Sequence, residues 1–172
     1  MPPAALPDPG LGLLELYDQA LPQVYGYLLP RCGSVALAED LTAESFLAAV
    51  AALRKPEAPR LSIAWLIGVA RHKLVDHWRR QEREQRGLRL THDSQPDADD
   101  LWAETLDAVR ARDVLGQLGP HHRAALTLRY LDGLAVADVA AELGRTLHAT
   151  EALLVRARLA FRRAYTAGEA TP

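Results

Sequence analysis

Cysteine is nearly missing from this sequence: Cys32 is the only one in 172 residues. A lone thiol closes no disulfide within the chain and builds no cysteine metal cluster. Long apolar runs are missing as well. The longest, Ser62 to Ala70, falls well short of the roughly 20 residues that a membrane-spanning helix needs. The opening stretch MPPAALPDPG has no basic start followed by an apolar run, so no secretion signal is expected. These absences predict a cytoplasmic protein without membrane insertion.

The residue patterns of common catalytic sites are also lacking. No glycine-rich loop suited to cradling phosphate and no nucleophile elbow occurs. His72 and His77 are five positions apart, so they do not share a helix face as a metal-binding pair four apart would. His121, His122 and His148 have no carboxylate or cysteine at ligand spacing. Paired acids such as Glu39 and Asp40 read as surface groups or partner contacts. No enzyme, metal or cofactor is expected.

What is present is an ordinary globular composition, 49% hydrophobic and 24% charged, with room for one domain or two small ones. The net charge of -2 conceals segregation. Met1 to Leu53 carries six acids and one base, whereas Arg54 to Arg89 carries ten bases and four acids. His92 to Asp113 returns to seven acids against two arginines, and Arg145 to Tyr165 holds five arginines and one glutamate. Two basic blocks set between acidic ones fit two patches facing a polyanion, or ordinary solvated helix faces.

Helical periodicity dominates, with no convincing strand alternation and no internal repeat. Helices are expected over Leu11–Leu29, closed by Pro30 and Gly33, then over Ala36–Leu53 and Ile63–Arg86. Further helices are expected near Trp102–Leu118, Pro120–Leu131, Ala135–Leu143 and Leu147–Tyr165. Pro120 suits a first helical turn, and Gly119, Gly133 and Gly144 punctuate the joints. The polar, acidic segment LTHDSQPDADD (Leu90–Asp100) reads as a linker. The fold expected is all-α, two small helical modules joined by a flexible acidic tether.

Advancing each residue of the third helix by 100° separates its sides. Ile63, Leu66, Ile67, Ala70, Leu74 and Trp78 form a core stripe, while Trp65, Val69, His72, Lys73, Asp76, Arg79 and Arg80 collect opposite. An aromatic ring among cations can stack on an unpaired base while the cations hold its phosphates, which favours opened or single-stranded nucleic acid. Alternatively, Trp65 packs on the Pro56–Ser62 loop as a satellite of the core.

VADVAAELGRTLHATEALLVRAR has helix-turn-helix form, with a turn centred on Gly144 and Thr146 as the cap of the second helix. Thr150, Leu153, Leu154, Ala157, Ala160, Phe161 and Ala164 form that helix's inner side, although Thr150 is less apolar than the position favours. His148, Glu151, Ala152, Val155, Arg156, Leu159 and Arg163 face out. Such a helix enters a major groove, with arginines reaching phosphates; a plain amphipathic hairpin is the other reading.

Three stretches together resemble the extracytoplasmic-function (ECF) group of bacterial RNA polymerase sigma factors. AEDLTAESFLAAV (Ala38–Val50) is similar to the core-binding helix of sigma region 2, and IAWLIGVARHKLVDHWRR (Ile63–Arg80) to its promoter-melting helix. Leu118–Tyr165 resembles sigma region 4. The resemblance implies region 2 over residues 11–87, a linker over 88–103 and region 4 over 104–166. It implies core polymerase as partner, through the clamp helices of the largest subunit (Asp40, Glu44) and, for region 4, the flap of the second-largest. It implies promoter DNA as well. Trp65, His72, Lys73, Asp76, Arg79 and Arg80 would meet the -10 element, with the Arg54–Ser62 loop holding a flipped-out base. Arg145, Thr146, His148, Glu151, Ala152, Val155 and Arg156 would lie on or beside the -35 reading helix. An anti-sigma factor is a further implied partner.

The chain departs from the family at Ala43, often glutamine, at His72, commonly asparagine, and at Glu151, often lysine. A carboxylate at Glu151 either accepts from a cytosine amino group or repels phosphate. The tether from Leu88 to Ala103, about 16 residues, reaches at most roughly 55 Å, or some 16 base pairs of duplex. Its Asp97, Asp99 and Asp100 suit a path through a positively lined channel. At this level two other readings stay open: a duplex-binding response regulator or repressor, and a helical adaptor with no DNA role.

Overall fold

The computed structural model describes residues 9–87 and 107–168, and every regular element among them is a helix. The tether expected at Leu88–Ala103, its three aspartates and the start of the helix expected from Trp102 lie outside the described residues. Contacts group residues 1–74 as one unit and 75–172 as another.

In the first unit, α1 (Pro9–Cys32) and α2 (Val35–Leu53) pack together. Pro30 does not close α1, contrary to expectation, and Pro22 also lies inside the helix. A proline removes one backbone donor, yet close to a helix end that costs a single bond. The helix stops at Cys32, where Gly33 takes a left-handed φ of 69°. Arg31 secures the last turn by donating to the Tyr27 carbonyl at 2.7 Å while lying over the Tyr27 ring. Ser34 then starts α2, its side chain accepting from the Leu37 amide.

Ala38, Leu41, Thr42, Ser45, Phe46 and Ala49 form the buried side of α2 at helical spacing. The two hydroxyls on that side are satisfied locally, Thr42 by the Ala38 carbonyl and Ser45 by the Leu41 carbonyl, each at 2.6 Å. Tyr17 and Phe46 join the helices with ring centroids 4.9 Å apart.

Helix α3 (Ile63–Arg86) is continuous and holds the expected stripe. Leu66, Ala70, Leu74 and Trp78 are buried, with Val75 beside them, while Ile63 and Ile67 are half-buried. Each large side chain so removed from water contributes about 1.5–3 kcal/mol.

In the second unit, α4 (Ala108–Gln117), α5 (Pro120–Leu126) and α7 (Leu147–Ala167) share a core of Val114, Leu126, Ala157 and Phe161, and α6 (Val136–Leu143) packs on α5 and α7. Asp107 caps α4 through the Arg110 amide at 2.9 Å. Arg110 also lies over the Tyr165 ring, whose hydroxyl accepts from the Asp107 amide at 3.1 Å, so α4 is clasped to the end of α7. The Arg123 guanidinium donates to the carbonyls of Leu115 and Gly116 at the end of α4, the first of which also accepts from the Leu118 amide.

Pro120 occupies the first turn of α5, as expected. The helix expected to reach Leu131 instead widens to a π turn over Thr127–Leu131, with the Asp132 amide bonded to the Thr127 carbonyl at 3.0 Å.

Candidate nucleic-acid interface

The amino end of α3 is set by Ser62, whose hydroxyl accepts from the Trp65 amide at 3.1 Å. This cap fixes the backbone that carries the indole. Trp65 and Val69 are half-buried and His72 is exposed. Lys73 is half-buried, and its ammonium lies 3.4 Å from the Glu44 carboxylate of α2. Further along the helix Asp76, Arg79 and Arg80 are exposed, with Arg79 3.8 Å from Asp76. The spacing of these side chains repeats the turn of the helix. The line holds a half-buried indole, an imidazole, three cations and Asp76, a set that suits a base-stacking surface flanked by phosphate holders. Asp40 and Glu44 are both exposed on α2.

The helix-turn-helix forms as its residues dictate. Gly144 ends α6 at φ 61°, a left-handed conformation that glycine adopts without a Cβ clash. The Arg145 amide closes the turn on the Ala140 carbonyl at 2.9 Å. Thr146 caps α7 by accepting from the Ala149 amide at 3.2 Å. Thr150 is fully buried, and its hydroxyl donates back to the Thr146 carbonyl at 2.9 Å, which removes the polarity objection to that position.

Leu153, Leu154, Ala157 and Phe161 are buried with it; Ala160 and Ala164 are half-buried. On the other side Thr146, His148, Glu151 and Arg163 are exposed, whereas Arg145, Ala152, Val155, Arg156 and Leu159 are half-buried. The short side chains at Ala152 and Val155 leave this face shallow enough for close approach to a groove.

Two participants escaped the sequence reading. Ser62 carried a signal, a serine three residues before Trp65 at a helix start. Glu82 carried none, because its part arises from residues distant in the chain: its carboxylate holds Arg145, 63 positions away, at 3.1 Å.

The comparisons match these two basic helical surfaces, one of them a helix-turn-helix, to a transcription factor of the sigma type. Residues 16–84 match Sigma-70 region 2 and residues 108–161 match Sigma-70 region 4. The ECF RNA polymerase sigma factor BldN of Streptomyces coelicolor is 33% identical over 148 residues; the match spans 83% of this chain but 56% of BldN. ECF RNA polymerase sigma factor SigC of Mycobacterium tuberculosis is 32% identical over 148 residues, with 84% of this chain and 79% of SigC covered. Among solved structures, the sigma factor RpoE of Bartonella quintana, crystallised with the anti-sigma factor NepR, shares the fold. Its TM-score is 0.53 at 23% identity, over 89% of this chain and 95% of that one. The chain belongs to the sigma-70 family of RNA polymerase sigma factors. Within that family it falls in the ECF group, whose members direct polymerase to promoters at the start of transcription.

Proposed function

We propose that the chain carries core polymerase to its promoters by gripping DNA at two places while the polymerase supplies the catalysis. Asp40 and Glu44 meet the clamp helices of the largest subunit, and region 4 meets the flap of the second-largest. The observation that supports this best is the coexistence of a half-buried indole in line with exposed Arg79 and Arg80 on α3 and a capped groove-reading helix in α7.

Trp65 and His72 then serve the -10 element as its strands part, with Lys73, Asp76, Arg79 and Arg80 along the phosphates. Arg145, Thr146, His148, Glu151, Ala152, Val155 and Arg156 serve the -35 element. The division into region 2 at 11–87, linker at 88–103 and region 4 at 104–166 belongs to this reading. No helix among the described residues is long and apolar enough to cross a membrane, and the factor works in the cytoplasm beside its polymerase. Exposed Leu14, Tyr17, Leu47 and Val50 on α1 and α2 offer an apolar face to an anti-sigma factor.

Reconstitution with core polymerase tests the proposal. Specific run-off transcripts, with start sites mapped by sequencing, are expected only when the chain is added. Polymerase that starts at the same sites without it, or a chain that never joins polymerase, would overturn the reading.

A further inference from the structure

Glu82 lies near the end of α3 with its side chain only 15% exposed, and cations gather round it. Arg86 donates to Oε1 at 2.5 Å. Arg145 reaches Oε1 at 3.1 Å and Oε2 at 3.4 Å. The Nδ1 of His121 stands 4.0 Å away. A cavity of about 270 Å³ opens beside this cluster, with Arg79 and Arg83 also on its wall. Two arginines thus touch this carboxylate with a histidine beside it, and two further arginines line the same cavity. Its contact with Arg86 is an ordinary pair one helical turn apart, but its contact with Arg145 joins α3 to the turn of the helix-turn-helix.

A guanidinium makes the same fork of hydrogen bonds to a carboxylate as to a phosphate. We propose that Glu82 is a built-in stand-in for a DNA phosphate, occupying Arg145 in the free chain so that DNA gains Arg145 only by exchange. The proposal rests on the placement of Arg145 at the -35 interface. Arg86 makes the exchange practicable: it stays on Glu82 after Arg145 leaves, so no carboxylate is stranded without a cation. The half-burial of Arg145 and the low exposure of Glu82 strengthen the pair relative to one in open water. The free factor therefore binds DNA more weakly than its count of cations implies.

The test uses the full chain and a short fluorescein-labelled duplex of arbitrary sequence, titrated by anisotropy over a series of salt concentrations. Glu82→Gln keeps the shape and removes the charge. Glu84→Gln removes the same charge from an exposed position on the same helix. Glu82→Gln is expected to tighten binding by about three- to tenfold, the range for losing one part-buried competing pair. The log–log salt slope should change little, because Arg145 neutralises the same phosphate in both complexes once the exchange has occurred. Glu84→Gln should change affinity less than about twofold, as an exposed single charge does. Adding Arg145→Ala to Glu82→Gln should erase the gain.

A Glu82→Gln chain that binds no better than the Glu84→Gln chain overturns the proposal. If Arg145→Ala still weakens it, Arg145 keeps its DNA role. A gain that survives Arg145→Ala overturns both the exchange and the placement of Arg145. Thermal melting of each variant separates these outcomes from misfolding.

Discussion

The ammonium of Lys73 sits 3.4 Å from the carboxylate of Glu44, joining the two helices proposed to meet DNA and polymerase. The Lys73 side chain is 37% exposed and the Glu44 side chain 51%, so water reaches the pair. Such pairs contribute little to stability. A double-mutant cycle with Lys73→Ala and Glu44→Ala, followed by chemical denaturation, should give a coupling of about 0.2–1 kcal/mol. A larger value would mean that the pair holds the fold together and does not merely neighbour two interfaces.

The two tryptophans of α3 should behave oppositely. Trp78 is 1% exposed, and Trp78→Ala is expected to cost about 3–5 kcal/mol in urea unfolding. Trp65 is half-buried on the other side of the helix, so Trp65→Ala should cost less than half as much while damaging initiation. Equal destabilisation by the two substitutions would make Trp65 a core residue.

Gly144 occupies a left-handed conformation at φ 61°. An added Cβ would also stand 3.1 Å from the Arg79 guanidinium, a flexible group that can shift aside. Backbone strain therefore sets the cost of Gly144→Ala, expected at about 1–2 kcal/mol. Thermal melting measures it, and an unchanged midpoint would contradict the role given to this turn.

The helices were legible because their causes are local. The periodic stripe of α3, the punctuation at Gly144 and the cap at Thr146 all lie within a few residues of what they determine. Pro30 misled because one lost donor near a helix end is affordable, and only the left-handed Gly33 stops the chain. The π turn after Leu126 left no trace in the periodicity, since one extra residue per turn is smaller than the irregularity of a short helix. Ser34 and Asp107 were capping residues in plain view but stood at blurred boundaries. The hold of Glu82 on Arg145 depends on residues 63 apart meeting in space, which no window of sequence contains.

Arg79 and Arg80 are exposed on the outward side of α3. If both hold phosphates of a parted strand, replacing either by alanine should weaken binding of a single-stranded -10 oligonucleotide to the holoenzyme. Each substitution should also reduce the log–log salt slope by about 0.7. A slope that does not move would place these arginines away from the DNA.

Strand opening tests the central claim most directly. Permanganate reactivity of unpaired thymines reports it, at a promoter located by start-site sequencing, in holoenzyme carrying Trp65→Ala or His72→Ala. Opening should fall by about five- to a hundredfold, the worth of one stacked base, while binding of the -35 duplex stays as in the wild type. Undiminished opening, or parallel loss of opening and -35 binding, would contradict the assignment of the outward face of α3 to the parting strands.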